Sequence, residues 1–259
     1  MEQSTHAGSS GIKTKAKAIN EKIDKKDWPK LLLCSFLGMF INKLAFFKGL
    51  ELSTPINSSI LITAVPILVF IFSAIILKEK LRLWSVFGII SGFIGALILI
   101  LYSPVSSFNA PNIPVGNLLF ILNSSTYGLY LIFVKELVEK YNIITLFRWL
   151  FLVGLLMNFP VGIQEFSSVD WVSLPLIDAV LPMVYVVVGT TFLTYMFNAY
   201  ALSKLTASTV STFVYLQPVV GIFYALTTKN DYLTILNVIG MLLIFLGVYL
   251  VTKKLETEI

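Results

Sequence analysis

The chain has 259 residues, of which 57% are hydrophobic and only 13% charged. A soluble domain carries about twice that share of charge, so a water-soluble enzyme or binding module is excluded. One cysteine, Cys34, and one histidine, His6, leave no disulfide framework and no transition-metal site, and no cofactor is expected. The net charge of +5 is a signal of membrane topology, not of nucleic-acid binding.

Residues 1–27 are polar and basic, with Lys13, Lys15, Lys17, Lys22, Lys25 and Lys26. No apolar core follows the early lysines, so the stretch reads as a solvated cytoplasmic tail, not as a secretory leader. Eight apolar runs follow, at 30–50, 55–77, 84–102, 115–134, 143–163, 178–202, 206–227 and 232–252. Each is near the roughly 20 residues that cross a bilayer as a helix. None alternates in and out as a barrel strand would. The expected fold is therefore an all-α polytopic bundle of eight transmembrane helices. The connection at residues 103–114 holds three prolines and no charge.

Placing the N-terminus inside puts the tail lysines, Lys30, Lys78, Lys80, Arg82, Lys135, Lys140, Arg148, Lys204, Lys253 and Lys254 on the inner side. Only Lys48 and Lys229 then lie outside. The asymmetry predicts a multi-pass protein of the cytoplasmic membrane with both termini cytoplasmic. Trp28, Trp84 and Trp149 fall at the inner interface and Trp171 at the outer, as an aromatic belt requires.

The chain also repeats itself. Shifting by 152 residues takes Thr54 to Thr206, Pro66 to Pro218, Glu79 to Asp231, Leu81 to Leu233, Gly88 to Gly240, Phe93 to Phe245 and Gly95 to Gly247, with no gap. The first three spans thus align with the last three, and spans four and five have no partner. A unit of five spans is odd, so two copies would enter the membrane in opposite directions, the inverted arrangement of many secondary transporters. The sequence divides accordingly. Residues 1–27 are the tail, 28–103 a shortened first repeat of three helices, 114–252 a second repeat of five, and 253–259 a C-terminal tail.

The residues that carry the repeat also carry a resemblance. They comprise an aromatic-rich helix ending FFKGLELSTP, a helix with Pro66 in mid-span, the Lys78-Glu79-Lys80 knot and a helix spaced by Gly88, Gly92 and Gly95. Together with residues 192–252, this pattern resembles the EamA domains of the drug/metabolite transporter superfamily. The resemblance implies ten helices in two inverted repeats around a central cavity. This sequence departs from it by lacking the first two helices and by holding Asp231 where a glutamate is usual. It implies a secondary transporter of small amphipathic metabolites, amino acids leading and export the favoured direction. The alternative is an inactive membrane protein, or a subunit whose pathway is completed by oligomerising.

Polar groups in hydrocarbon are expensive and tend to face a bundle interior. Thr191, Thr194, Tyr195 and Asn198 fall on one helix face, and Asn42, Lys43 and Phe46 are the repeat equivalents of the last three. Asn123 and Tyr127 share a face of the fourth span with Ser124, and Tyr215 stands with Gln217 near Pro218. The expected role is a polar and aromatic cavity for a small-molecule substrate. The competing role is glue between helices, which Ser, Thr and Asn commonly supply in membranes. Lys43 either binds a carboxylate or snorkels outward. Pro66 and Pro218 are expected to kink their helices. Glu51 and Asp178 are the only acids near the spans that could couple to protons, and both read as interfacial. With no catalytic set and no phosphate loop, no enzyme activity is expected.

Overall fold

A computed structural model describes residues 21–53, 55–78, 82–101, 110–171, 173–220 and 235–252. Among these residues no strand occurs, and each of the eight predicted spans contains helix. Helix α1 runs Lys25–Leu52. The second span is broken into α2, Pro55–Ile62, and α3, Val65–Ile76. Next come α4, Leu83–Leu101, α5, Ile113–Lys140, and α6, Ile143–Ser168. Helix α7 runs Leu176–Leu202, α8 is Ala207–Thr212 and α9 is Ile235–Thr252. Four of them, α1, α5, α6 and α7, are long and apolar enough to cross a membrane. The predicted knot at Glu79–Leu81, residues 1–20 of the tail, Asp231 and residues 253–259 lie outside the described residues.

Local chemistry sets several boundaries. Asn142 caps α6 by accepting from the Ile144 amide at 2.9 Å, and Thr206 caps α8 from the Thr209 amide at 3.2 Å. Pro66 does not bend a continuous helix, as the sequence predicts. The span breaks at Thr63–Ala64, and Pro66 lies in the first turn of α3, where its missing N–H is no loss. Pro160, by contrast, is carried inside α6. Lys78 follows α3 with φ at 53°, the left-handed conformation that commonly ends a helix.

The chain forms two compact units, Met1–Phe40 with Phe133–Lys204, and Ile41–Ile132 with Leu205–Ile259. In the first, α6 packs on the N-terminal half of α1. Trp28 meets Trp149 edge to face at 5.1 Å, and Ser35 Oγ donates to the Leu150 carbonyl at 3.3 Å. A Cβ on Gly154 would fall 2.7 Å from Met39 Cβ, so α6 comes this close to α1 only because position 154 is glycine. At the helix ends Lys30 pairs with Glu136, and Lys135 reaches both Glu139 (2.7 Å) and the Leu202 carbonyl that ends α7 (3.3 Å). The start of α1 and the residues just ahead of it are fastened to the α5–α6 junction. Lys140 pairs with Asp24 (2.6 Å) and Asp27, Tyr141 donates to Asp27 (2.5 Å), and the Asn142 amide donates to Glu21 (2.9 Å).

In the second unit the most extensive contact is between α4 and α9, and it makes the repeat visible. A Cβ on Gly88 would strike the Gly247 carbonyl oxygen at 2.8 Å, and one on Gly95 would strike that of Gly240 at 2.6 Å. Gly88 and Gly240 are repeat equivalents, as are Gly95 and Gly247. The two contacts are therefore one contact seen from both sides. Position increases along α4 as it decreases along α9, so the helices are antiparallel. Midway, Ser91 Oγ donates to the Leu243 carbonyl at 2.9 Å, across a separation of 152 residues. Ser91 and Leu243 are each other's equivalents, so a local twofold passes between them. This is the isologous geometry that an inverted repeat requires. Tyr215, Val219, Ala96 and Ile244 are buried beside it as a core cluster.

Candidate functional site

The sequence-derived candidates divide between the two units. In the second unit, Asn42 on α1 and Asn123 on α5 are both buried. Asn42 Nδ2 donates to the Asn123 carbonyl at 3.0 Å, and Asn123 Nδ2 donates to the Asn42 carbonyl at 2.8 Å. The reciprocal pair ties two apolar helices through groups that hydrocarbon cannot solvate. Ser124, beside it, donates to the Leu61 carbonyl at 3.0 Å, where α2 ends and its carbonyls leave the helical ladder. Lys43, half buried, is the next residue of α1. Phe46 stands edge-on to Phe120 at 6.3 Å, and Tyr127 stacks on Tyr130 at 6.1 Å. Tyr215 is fully buried with its ring filling the notch at Gly92, and among the described residues its hydroxyl has no hydrogen-bond partner. Gln217 is exposed and Pro218 half buried.

In the first unit, Thr191 and Asn198 are half buried and Thr194 exposed, so the predicted stripe is not uniform. Tyr195 is buried. Its ring packs on Phe147 and Phe151, with centroids 6.2 and 6.0 Å away, and Phe192 stacks on Phe151 at 6.1 Å. Its hydroxyl donates to the Gly38 carbonyl of α1 at 2.6 Å.

That acceptor is special. Over Phe36–Ile41 helix α1 widens to π geometry, with bonds spanning five residues instead of four. Such turns recur at functional sites and leave carbonyls off the regular ladder. Two successive carbonyls of this turn are taken by side chains, Gly38 by Tyr195 and Met39 by Asn158 Nδ2 at 3.1 Å. Asn158 also donates to the Gly154 carbonyl at 2.7 Å, which aims its amide across the glycine notch. Asn158 is absent from the sequence-derived set. It is a lone amide in its span, with no polar stripe to announce it, although Gly154 and Asn158 at i and i+4 were a legible hint.

Helix α7 carries the equivalent turn. Its π segment, Tyr185–Leu193, contains the positions that lie 152 residues beyond Phe36–Ile41. Here the carbonyls are answered within α7. Thr190 Oγ1 donates to Val186 at 2.9 Å and Thr194 Oγ1 to Gly189 at 3.2 Å. None of the apolar window of α7 is buried by the rest of the chain, against half of that of α5.

Other charged groups lie nearer the helix ends. Glu51 pairs with Lys48 at 2.7 Å, both exposed. Among the described residues no three His, Cys, Asp or Glu side chains cluster as a metal site would require. Outside the spans, Lys140 holds the Asp24 carboxyl below the ordinary carboxylate range, through its hydrogen bond first and then its charge.

Helices of this length and composition, antiparallel about a local twofold, define a polytopic membrane protein built on an inverted repeat. The chain belongs to the EamA-like transporter family, whose model matches residues 13–101 and 114–253. It is 29% identical over 236 residues to an uncharacterized transporter of Archaeoglobus fulgidus, covering 91% of this chain and 82% of that protein. It is 24% identical over 237 residues to the uncharacterized transporter YetK of Bacillus subtilis, covering 91% and 72%. A solved crystal structure superposes with a TM-score of 0.73 at 17% identity, over 94% of this chain and 81% of that one, which shows a shared fold.

Proposed function

We propose that this protein is a secondary transporter of the cytoplasmic membrane that exports small amphipathic metabolites, amino acids foremost, by alternating access. It performs no catalysis, and both termini face the cytoplasm. The observation that supports alternating access is the local twofold at Ser91 and Leu243. Inverted repeats give a protein two arrangements of similar energy, one open to each side. Amide, hydroxyl and aromatic groups set into apolar helices suit a solute with one polar and one apolar end, and Lys43 is the cation nearest them in sequence that could meet a carboxylate. Residues 28–103 belong to the first repeat and 114–252 to the second.

The test is efflux from proteoliposomes of defined lipid, loaded in turn with each radiolabelled amino acid. Export of at least one solute above protein-free vesicles is expected, with loss of selectivity in Lys43→Met. Folded protein that moves none of them would overturn the amino-acid assignment. If transport appears only when copies are linked as dimers, the pathway is made by an oligomer.

A further inference from the structure

We propose that the two repeat-related π turns are coupled pivots, and that Tyr195, with Asn158, is the latch between them. Three observations converge on the turn in α1. Its Gly38 and Met39 carbonyls are held by side chains of two other helices, Tyr195 of α7 and Asn158 of α6. Its last residues, Phe40 and Ile41, are where α1 passes from one compact unit of the chain to the other. The same widened turn recurs in α7, so the repeat has kept it in both copies.

The placement of Tyr195 supplies the coupling. It lies two residues beyond the π segment of α7, and its hydroxyl ends on the π segment of α1. Any bend of α7 at Tyr185–Leu193 swings Tyr195 relative to that acceptor. Breaking the bond leaves the Gly38 carbonyl without its side-chain donor inside hydrocarbon, and the cheapest remedy is for α1 to rewind its turn. A bend of α7 large enough to break the bond thus licenses bending of α1, while smaller flexing of α7 leaves α1 held. The turn carbonyls of α7 at Val186 and Gly189 are met by its own Thr190 and Thr194 and move with the helix. Asn158 is a positioning residue. Gly154 brings α6 against Met39, and the amide holds the second carbonyl while Tyr195 holds the first.

The test is distance measurement by pulsed electron paramagnetic resonance on the full chain in nanodiscs, with no transported solute. Its failure is therefore separate from failure of the transport assay. In a Cys34→Ser background, spin labels at Leu33→Cys and Leu50→Cys bracket the α1 turn, about 25 Å apart on a straight helix. Labels at Tyr185→Cys and Tyr200→Cys bracket that of α7. Removing one oxygen atom with Tyr195→Phe is expected to add a second distance to the α1 pair and leave the α7 pair unchanged, and Asn158→Ala to add a smaller one. A general loosening would broaden both pairs alike and would overturn the proposal. So would an α1 distribution identical to that of the unsubstituted protein.

Discussion

Helices α1 and α7 are repeat equivalents, yet their surroundings differ. Both widen at the same place. In α1 the widened turn is buried against α6, and its free carbonyls are met by Asn158 and Tyr195. In α7 the turn is exposed, and its carbonyls are met by threonines one turn later in the same helix. The backbone feature therefore follows from the repeat, while the means of satisfying it depend on what lies alongside. The same unsatisfied groups become a tie between helices in one case and a self-contained bend in the other.

The difference can be broken most severely at the glycines. Gly154→Leu forces a side chain into the space held by Met39 and should lower stability by about 1–3 kcal/mol or more. Gly189→Leu meets only the ring of Tyr185 in its own helix and should change stability by no more than about 0.5 kcal/mol. Unfolding in mixed micelles with increasing dodecyl sulfate reads both. Equal losses would show that the two turns are packed alike.

Next come the polar ties. Asn42→Leu removes the bond its own amide donates and leaves the buried Asn123 carbonyl without that donor, while Asn123 can still donate to the main-chain carbonyl of residue 42, a loss of about 1–3 kcal/mol. Because each amide bonds the other residue's main chain, Asn123→Leu should cost a similar amount and the two losses should add to within about 0.5 kcal/mol in a double-mutant cycle. No loss from either single substitution would mean that the pair does not bind in lipid. Tyr195→Phe should lose about 1 kcal/mol, whereas Thr194→Val, whose hydroxyl serves its own helix, should lose at most a few tenths.

The smallest effect lies outside the membrane. Lys140 lowers the proton affinity of Asp24 in the folded chain, so the unfolded chain protonates at a higher pH. The stabilisation is therefore complete above the ordinary carboxylate value and is lost as the pH falls through the lower folded value. Asp24→Asn should flatten that acid limb of the melting temperature, and salt should shrink the effect further. An unchanged limb would show the ion pair to be idle.

The eight spans, the repeat and the resemblance to EamA domains were legible because they are written in composition and spacing. Hydrocarbon selects apolar runs of fixed length, and Gly88 and Gly95 match Gly240 and Gly247 because the helices touch through them. The break at Thr63–Ala64 was half legible. Pro66 marks the place, but whether a proline bends a span or opens a new helix depends on whether partners such as Ser124 take the freed carbonyls. The π turns were not legible, since nothing in FLGMFI announces a five-residue bond, and the groups that hold the turn lie more than 100 residues away. Asn42 and Asn123 were each singled out as polar, but their mutual pairing across 81 residues is a fact of packing.

The most direct measurement compares the unsubstituted protein's two label pairs, Leu33→Cys with Leu50→Cys on α1 and Tyr185→Cys with Tyr200→Cys on α7. A narrow distribution across the α1 turn and a wider one across the α7 turn, about 22 Å at its centre, is the expected result. Equal widths, or a wider distribution in α1, would contradict the account that side chains from neighbouring helices hold the carbonyls of one pivot while those of the other are met within its own helix.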